Sequence, residues 1–350
     1  MNTTANYLGK MKSHTFVPEL TTGESTNMSE FTDEVVQGNV TMIPDEVLAP
    51  DPQQVWWNAV TEHSLYKAGQ IINLYWMPLI IIFGVPGNIL SFLVMMMKQN
   101  RKISTCVYMA SLAVCDLMVL LIAIITWIIQ DDKLTKMFSL QVATDLCVYL
   151  TYPLFIFTQA GTYTIVSMTV DRFLAITFPL KSTLLNTTKR ARITMIIIFC
   201  FSTVYNIPNL FYTRYSYLTK CVPFTDNKTD LLIAFFFWSH FTVNCVLPFT
   251  LLLCLNVGII IQITRKSDLD KTESYSKKTH RKTQDRQITT MLLSVTFGFL
   301  ILVLPAYLTF VLPDFGNYIT EPHRFSAFIF YYHVVQKLYY TNNSVNVILY

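Results

Sequence analysis

Seven long apolar stretches follow one another along the chain after residue 70. Residues 71–97 contain no charged side chain, and this stretch is longer than the ~20 apolar residues that a helix needs to cross a bilayer core. Comparable stretches, interrupted by a few polar residues, cover residues 103–129, 146–178, 193–212, 231–264, 288–312 and 325–350. The pattern predicts an all-α membrane protein in which residues 71–350 form a seven-transmembrane helix bundle, with spans one to seven in chain order.

Charge and sequence motifs predict the orientation of the chain. Residues 1–70 are polar, with many Thr, Ser and Asn residues, which predicts a disordered tail. Basic residues cluster in the loops between spans one and two, three and four, and five and six. Short basic loops remain in the cytoplasm, so the amino terminus is predicted to be extracellular. Glycosylation sequons then lie on the outer face at Asn2, Asn27, Asn39 and Asn227.

Composition narrows the classes of function. The chain is 52% hydrophobic and 14% charged, too apolar for a soluble domain. The net charge of +4 is small, so no nucleic-acid partner is expected. The sequence contains no His-Glu cluster, phosphate-binding Gly loop or nucleophile elbow, so neither an enzyme nor a metal site is predicted. Seven spans would also fit a transporter or a channel, but the internal repeats and intramembrane acid chains typical of those proteins are missing.

Two of the seven cysteines reach an oxidising compartment. Five fall inside apolar stretches, whereas Cys147 and Cys221 lie near span ends on the outer side. Disulfides form in such compartments. We therefore predict one disulfide between these two residues, which would hold the second outer loop over the mouth of the bundle.

Polar and special residues within the spans form a recognisable series. It consists of Gly87 with Asn88, residues 112–116 ending in Asp116, Cys147, the triad Asp171, Arg172 and Phe173, the prolines Pro208, Pro248 and Pro305, Phe299, and residues 346–350. In this order the series resembles the rhodopsin-like (class A) G-protein-coupled receptors. The resemblance implies a multi-pass receptor of the plasma membrane that binds an extracellular ligand and activates a heterotrimeric G protein by outward movement of span six.

Several positions depart from the family pattern. Val303 replaces the usual Trp two residues before Pro305, and Asn256 stands where an inward-swinging Tyr is common. Val347 replaces the usual Pro near the end of span seven, which resembles invertebrate neuropeptide receptors of the FMRFamide and myoinhibitory types. The chain stops at Tyr350, directly after span seven, so we expect a natural protein that continues beyond it.

At the inner end of the bundle, the resemblance implies a charge lock. Arg172 stays protonated and needs an acceptor. Asp285 lies twenty residues before Pro305, where the family places an acid that holds span six against the arginine; a solvated basic-acidic rim is the alternative. The predicted coupling residues are Asp171, Arg172, Phe173, Asn256, Asp285 and Tyr350.

At mid-depth, Asp116 is a carboxylate that must face the bundle interior and find partners. The candidates are Asn88, Asn342, Asn343 and Asn346. The resemblance implies a sodium ion at Asp116 in the resting state, and no other cofactor is expected. A hydrogen-bonded network with water is the alternative, because Gly161 replaces the Ser usual in span three.

The outer half of the bundle is the predicted ligand site. Leu154 occupies the position where amine receptors carry Asp, and Tyr340 the position where opsins carry their retinal-bearing Lys, so neither ligand class is favoured. A peptide is the leading hypothesis for the ligand, and a small odorant or metabolite is the alternative. The predicted pocket residues are Leu154, Phe155, Thr158, His240, Tyr307, Phe310, Tyr332, His333, Gln336 and Tyr340.

Overall fold

The computed structural model describes residues 52–129, 140–178, 186–216, 220–223, 230–270, 279–308 and 321–349. Seven long helices account for most of this part of the chain, and they coincide in order with the seven predicted spans. They are α1 (Ser64–Met95), α2 (Ser104–Ile129), α3 (Leu140–Thr177), α4 (Thr188–Tyr205), α5 (Asp230–Phe241, a π-helical segment Thr242–Val246, and Leu247–Asp270), α6 (Thr279–Leu308) and α7 (Pro322–Leu349). The predicted fold class is confirmed.

Four of these regions are long and apolar enough to cross a membrane by length and composition, within the described residues. They are Ser64–Met95, Ser104–Ile129, Thr188–Phe211 and Trp238–Arg265. The other three helices hold more polar residues, and among these are Arg172 in α3 and Lys337 in α7. α1, α2, α4 and α5 are therefore the more apolar helices, although α1, α2 and α5 also carry buried polar residues such as Asn88, Asp116 and Asn256.

The long helices are apolar on their outward faces. In α1, the neighbouring Ile82 and Phe83 are 61% and 66% exposed, whereas Gly84 and Asn88 are buried. Large apolar side chains are equally exposed on α4 and α6, as at Ile301 with 70%. Exposed apolar surface of this extent is unfavourable in water and favourable against lipid. The bundle thus buries amides and presents hydrocarbon outward.

A further helix, Pro52–Glu62, precedes α1. Its Val60 is fully buried, and the carbonyl oxygen of Val60 accepts a hydrogen bond of 3.1 Å from the Ser326 hydroxyl in α7. The Trp56 ring lies 5.3 Å from the Phe325 ring. Residues 52–70, which the sequence pattern assigns to the tail, are therefore helical, because this segment has its own apolar face. The tail sequons Asn2, Asn27 and Asn39 lie outside the described residues.

The second outer loop contains a short β-hairpin that the sequence pattern does not predict. α4 ends at Tyr205, and after Pro208 a one-turn helix covers Asn209–Tyr212. Proline cannot continue the hydrogen bonding of the preceding helix, which explains why the fourth span is interrupted before residue 212. Two antiparallel strands follow, β1 (Thr213–Ser216) and β2 (Lys220–Pro223).

The π-helical segment of α5 lies directly before Pro248. Its backbone bonding is of the i to i+5 type, since the Leu247 N–H donates to the carbonyl oxygen of Thr242. Pro248 has no N–H to offer the carbonyl of Asn244, and the wider turn accommodates this interruption. The Asn244 side chain in turn donates to the His240 carbonyl oxygen at 3.0 Å. The outer part of α5 is therefore rotated relative to an uninterrupted helix.

The main apolar core lies between α3, α5 and α6. It includes Ile165, Leu252 and Phe299, and the Phe249 and Phe299 rings lie 5.3 Å apart. A second cluster joins α1, α2 and α7 around Tyr340. These two cores enclose the polar groups at mid-depth.

Candidate functional site

The inner end of α3 is anchored to the first turn of α2. The Arg172 guanidinium donates a hydrogen bond to the Thr105 hydroxyl. The Asp171 side chain is hydrogen-bonded to Ser104, and the Asp171 backbone carbonyl accepts from the Asn186 amide at 2.9 Å. Thr105 was not among the predicted site residues, although its position at the cytoplasmic start of span two places it at the depth of Arg172. Two adjacent hydroxyl residues of α2 therefore hold the first two residues of the triad.

The third residue of the triad packs against α5. A β-carbon built on Gly258 would lie 2.7 Å from Phe173 Cε2, so a larger residue at this position would require the Phe173 ring to shift. Two residues earlier on α5, Asn256 is 2% exposed, and its amide nitrogen has no hydrogen-bond partner among the described residues. The inner ends of α3 and α5 are therefore in close contact beside a buried amide that is not satisfied.

The predicted lock involves two side chains that lie outside the described residues, those of Asp285 and Tyr350. The ion pair between Arg172 and Asp285 therefore stays a prediction. Within the described part of the chain, the Thr105 hydroxyl is one hydrogen-bond acceptor for the Arg172 side chain. A hydroxyl oxygen is a weaker acceptor for a guanidinium than a carboxylate.

Four of the predicted mid-depth residues come together. The Asn346 amide donates to an Asp116 carboxylate oxygen at 2.5 Å. The Asn88 amide donates to the carbonyl oxygens of Gly84 at 2.9 Å and Asn343 at 2.7 Å. All five predicted residues, including Asn342, are buried. These hydrogen bonds join α1 and α2 to α7, which is the role that buried amides take in a bilayer, where water cannot satisfy them.

A small cavity lies beside Asp116. Its volume is about 20 Å³, and Gly161, Thr162, Asn342 and Asn343 also line it. This is room for about one water molecule. One carboxylate surrounded by hydroxyl and amide oxygens is the donor chemistry of a hard cation, whereas transition metals take imidazole and thiolate ligands. No group of three or more His, Cys, Asp or Glu residues suited to a metal occurs among the described residues.

The predicted pocket residues fall into two groups in the outer half. In the first, between α3, α4 and α5, the Phe155 ring meets the His240 ring edge-on at 5.0 Å. The Tyr205 and Phe236 rings lie 6.3 Å and 5.8 Å from the same imidazole. The His240 Nε2 atom is buried and has no hydrogen-bond partner among the described residues. This group is an aromatic wall that contains one unsatisfied polar atom.

The second group lies toward α1 and α2. Tyr340 belongs to the apolar cluster there, and Leu154 packs against the same cluster. A β-carbon on Gly69 of α1 would lie 3.2 Å from the His333 ring. Lys337 is 2% exposed; its ammonium donates to Gln336 Oε1 at 3.2 Å and lies 5.8 Å from the centre of the Tyr340 ring. The ten predicted pocket residues therefore do not line one continuous wall.

The remaining pocket residues occupy other positions. The Thr158 hydroxyl accepts a hydrogen bond of 2.6 Å from Tyr339, which joins α3 to α7 between the two groups. Tyr307 lies in the core of α3, α5 and α6. Tyr332 is 42% exposed, and its hydroxyl accepts from the Gln336 amide at 3.4 Å. Phe310 lies outside the described residues.

Cys147, near the outer end of α3, is disulfide-bonded. The five cysteines of the apolar stretches are free. The backbone of Cys221 lies in β2, opposite Tyr215, while its side chain and the sequon at Asn227 lie outside the described residues. The pairing of Cys147 with Cys221 stays a prediction.

Comparison with known proteins gives the family. Residues 87–350 match the family model of the seven transmembrane receptors of the rhodopsin family. The chain is 22% identical to a probable G-protein coupled receptor of Caenorhabditis elegans, over 75% of the chain and 63% of that protein. It is 27% identical to the thyrotropin-releasing hormone receptor of Gallus gallus, over 80% of the chain and 75% of that receptor. It is 26% identical to the FMRFamide receptor of Drosophila melanogaster, over 87% of the chain and 56% of that receptor. The chain therefore belongs to the rhodopsin family of seven transmembrane receptors.

Proposed function

We propose that the chain is a receptor for an extracellular peptide and that it activates a heterotrimeric G protein by outward movement of the inner half of α6. The observation that carries the peptide assignment is the environment of Leu154, where amine receptors of this family carry Asp. Leu154 packs against the apolar cluster around Tyr340, so this position offers no charge to an amine. The similarity to the FMRFamide receptor of Drosophila melanogaster supports the same assignment.

Family membership makes the chain a multi-pass receptor of the plasma membrane and not an enzyme. It also implies an extracellular ligand and a G-protein partner on opposite faces of the bilayer. Because the chain spans 63% and 56% of two of the relatives described above, the ligand and the coupling of the whole protein belong to the proposal.

On the ligand side, the aromatic wall around His240 suits a peptide. Aromatic rings supply large apolar contact area, and a pocket gains specificity from a few polar groups set among them. The unsatisfied Nε2 atom of His240 can bond a backbone amide or carbonyl group, depending on which ring nitrogen carries the proton. Peptide backbone offers both groups.

On the cytoplasmic side, the Arg172 contact is one that activation can break. A hydrogen bond from a guanidinium to a neutral hydroxyl contributes a net free energy of about 0.5–3 kcal/mol, which is within reach of ligand binding. Breaking it, together with the predicted ion pair to Asp285, would leave the guanidinium to receive the G protein.

α6 has a structural basis for the proposed movement. Pro305 lies inside α6 and removes one backbone hydrogen bond, so the helix can bend there. The Tyr331 hydroxyl of α7 donates to the Pro305 carbonyl oxygen at 3.2 Å. This contact holds the outer part of α6 to α7, so the bend would move the inner part.

We further propose that the cavity beside Asp116 takes a sodium ion in the resting receptor. Asp116 would supply the charge, and the side-chain oxygens of Asn342 and Asn343 would complete the site. The bound cation would neutralise a carboxylate that is otherwise costly in a bilayer.

The test is a screen of the full-length receptor in cells, with a peptide library and a metabolite panel run side by side and G-protein nucleotide exchange as the readout. A response to peptides that disappears in Arg172→Ala, while surface expression is kept, is the expected result. A response to metabolites alone would assign a small-molecule ligand instead. Substrate flux without any nucleotide exchange would contradict the receptor mechanism.

A further inference from the structure

A further cavity opens on the flank of the bundle, and Phe157 separates it from the cavity beside Asp116. It is a groove of about 510 Å³ between α1, α2 and α4, with α3 at its floor. Apolar side chains form its walls, among them Phe92 of α1, Val114 of α2 and Phe199 of α4. These three side chains are also exposed on the outer surface of the bundle. The groove therefore opens toward lipid and not toward the ligand site.

Two cationic side chains stand at one end of this groove. Arg101 belongs to the short 3₁₀ helix Asn100–Lys102 that joins α1 to α2, and Arg192 lies in the first turns of α4. Both are exposed. Among the described residues neither guanidinium is paired with a carboxylate, and no Asp or Glu lines the groove. The groove thus combines an apolar body with a positively charged end.

The length of the groove matches one leaflet of a bilayer. Arg192 and Cys200 both line it, and eight residues of α-helix rise about 12 Å. Half of a hydrocarbon core of ~30 Å is about 15 Å. Arg101, in the connection between α1 and α2, and Arg192, near the start of α4, lie at the end of the bundle that the family places in the cytoplasm. The charged end of the groove is therefore at the level of the inner headgroups. The apolar end approaches the bilayer midplane at Phe157 and Cys200.

We propose that this groove binds one anionic phospholipid of the inner leaflet. The lipid phosphate lies between Arg101 and Arg192, and one acyl chain follows the apolar wall from Phe92 toward Phe157. Guanidinium groups bind phosphate through paired, charge-assisted hydrogen bonds. A sterol offers only a neutral hydroxyl to two cations, and a zwitterionic lipid brings its own ammonium group beside them. The two guanidinium groups, which have no carboxylate partner among the described residues, therefore favour an anionic headgroup.

The inference is tested with purified full-length receptor, by native mass spectrometry of the lipid it retains from detergent. Phosphatidylserine is the anionic probe, and phosphatidylcholine and cholesterol are offered in parallel. One retained phosphatidylserine per receptor is expected. The double variant Arg101→Gln with Arg192→Gln should weaken its retention about tenfold, since it removes both charge-assisted contacts. The matched control is Lys98→Gln with Lys189→Gln, which removes two exposed charges that do not line the groove.

A second pair of variants tests the apolar part of the groove and does not change the charge. Ile196 lines the groove and Ile197 does not, although they are neighbours with 64% and 62% exposure. Ile196→Trp should fill the groove and lower retention of phosphatidylserine, while Ile197→Trp should leave it unchanged. Equal retention of phosphatidylcholine or cholesterol, or equal losses in the control variants, would overturn the proposal.

Discussion

Phe173 lies across the backbone of Gly258, with its Cε2 atom 2.7 Å from the point where a β-carbon of residue 258 would stand. The third residue of the triad thus sets how closely the inner ends of α3 and α5 approach. Adding one methyl group at residue 258 would force either the Phe173 ring or the two helices to shift, at the level where the proposed G protein would bind.

The first prediction concerns this contact. Gly258→Ala should lower the free energy of unfolding by about 1–3 kcal/mol, the usual cost of overpacking, and raise ligand-independent nucleotide exchange by separating α3 from α5. Thermal denaturation and basal exchange are the measurements. Gly298→Ala is the matched control in α6, since a β-carbon there meets no atom within 4 Å. Similar destabilisation in both variants would show that the Phe173 contact is not the cause.

The second prediction concerns the acceptor for Arg172. Thr105→Val removes the hydroxyl that the guanidinium bonds and keeps the shape of the side chain. Basal nucleotide exchange should rise several-fold, because the resting position of Arg172 loses a contact worth about 1 kcal/mol or more. Thr105→Ser keeps the hydroxyl and should restore the low basal rate. If the serine and valine variants signal alike, the hydroxyl does not hold Arg172 at rest.

The third prediction concerns the hydrogen bond between Asn346 and Asp116. Asn346→Ala should destabilise the receptor by about 1–3 kcal/mol, because a buried acceptor loses its donor. Exchanging the two residues, Asp116→Asn with Asn346→Asp, keeps one carboxylate and one amide at the same contact. The exchanged receptor should therefore be more stable in thermal denaturation than Asn346→Ala. The opposite order of stabilities would mean that the contribution of Asp116 to stability depends on its position in α2 and not on its hydrogen bond to Asn346.

The fourth prediction concerns sodium. A β-carbon on Gly161 would meet Cys115 at 3.6 Å and Leu112 at 3.7 Å, which is ordinary contact, so a small side chain fits beside the Asp116 cavity. Gly161→Ser adds a hydroxyl ligand and should increase the reduction of agonist affinity by sodium at constant ionic strength. Gly161→Ala adds the same carbon without the oxygen and should not. A sodium effect that is equal in the two variants would argue against an ion in this cavity.

The fifth prediction concerns the helix before α1. Phe325→Ala removes the ring that packs against Trp56, so the helix Pro52–Glu62 should open more often and exchange its amide hydrogens faster. Hydrogen exchange of residues 52–62, read by mass spectrometry, is the measurement. Phe328→Ala is a comparison on the same helix. Exchange that rises equally in both variants would point to general loosening of α7.

The sequence was sufficient for features that depend on local pattern. The seven helices follow from long apolar stretches, and the cost of an isolated carboxylate in a bilayer predicts an amide partner for Asp116 among four candidates, of which Asn346 makes the contact. Contacts between segments that are distant in the sequence were harder to predict. Thr105 is an ordinary helix residue in sequence, and only the packing of α2 against α3 brings it to Arg172.

Other features were missed because their signals are weak or spread along the chain. The helix Pro52–Glu62 is short and lies in a polar region, so its apolar face is visible only after it packs against Phe325. Arg101 and Arg192 have the same sequence signal as any basic loop residue, although the fold places them at one groove. The two groups of outer residues were predicted as one pocket because helical spacing gives depth but not the direction in which a side chain points.

The π-helical segment Thr242–Val246 has a consequence for comparing this receptor with its relatives. An extra residue in one turn changes the angular position of everything on its outer side by about 100°. His240 faces Phe155 only with that added angle. In a homologue whose fifth helix is regular, the residue at the same number of positions before the proline would point in a different direction. Against such a homologue, an alignment that runs through Pro248 without a gap would pair outer residues that do not correspond in space.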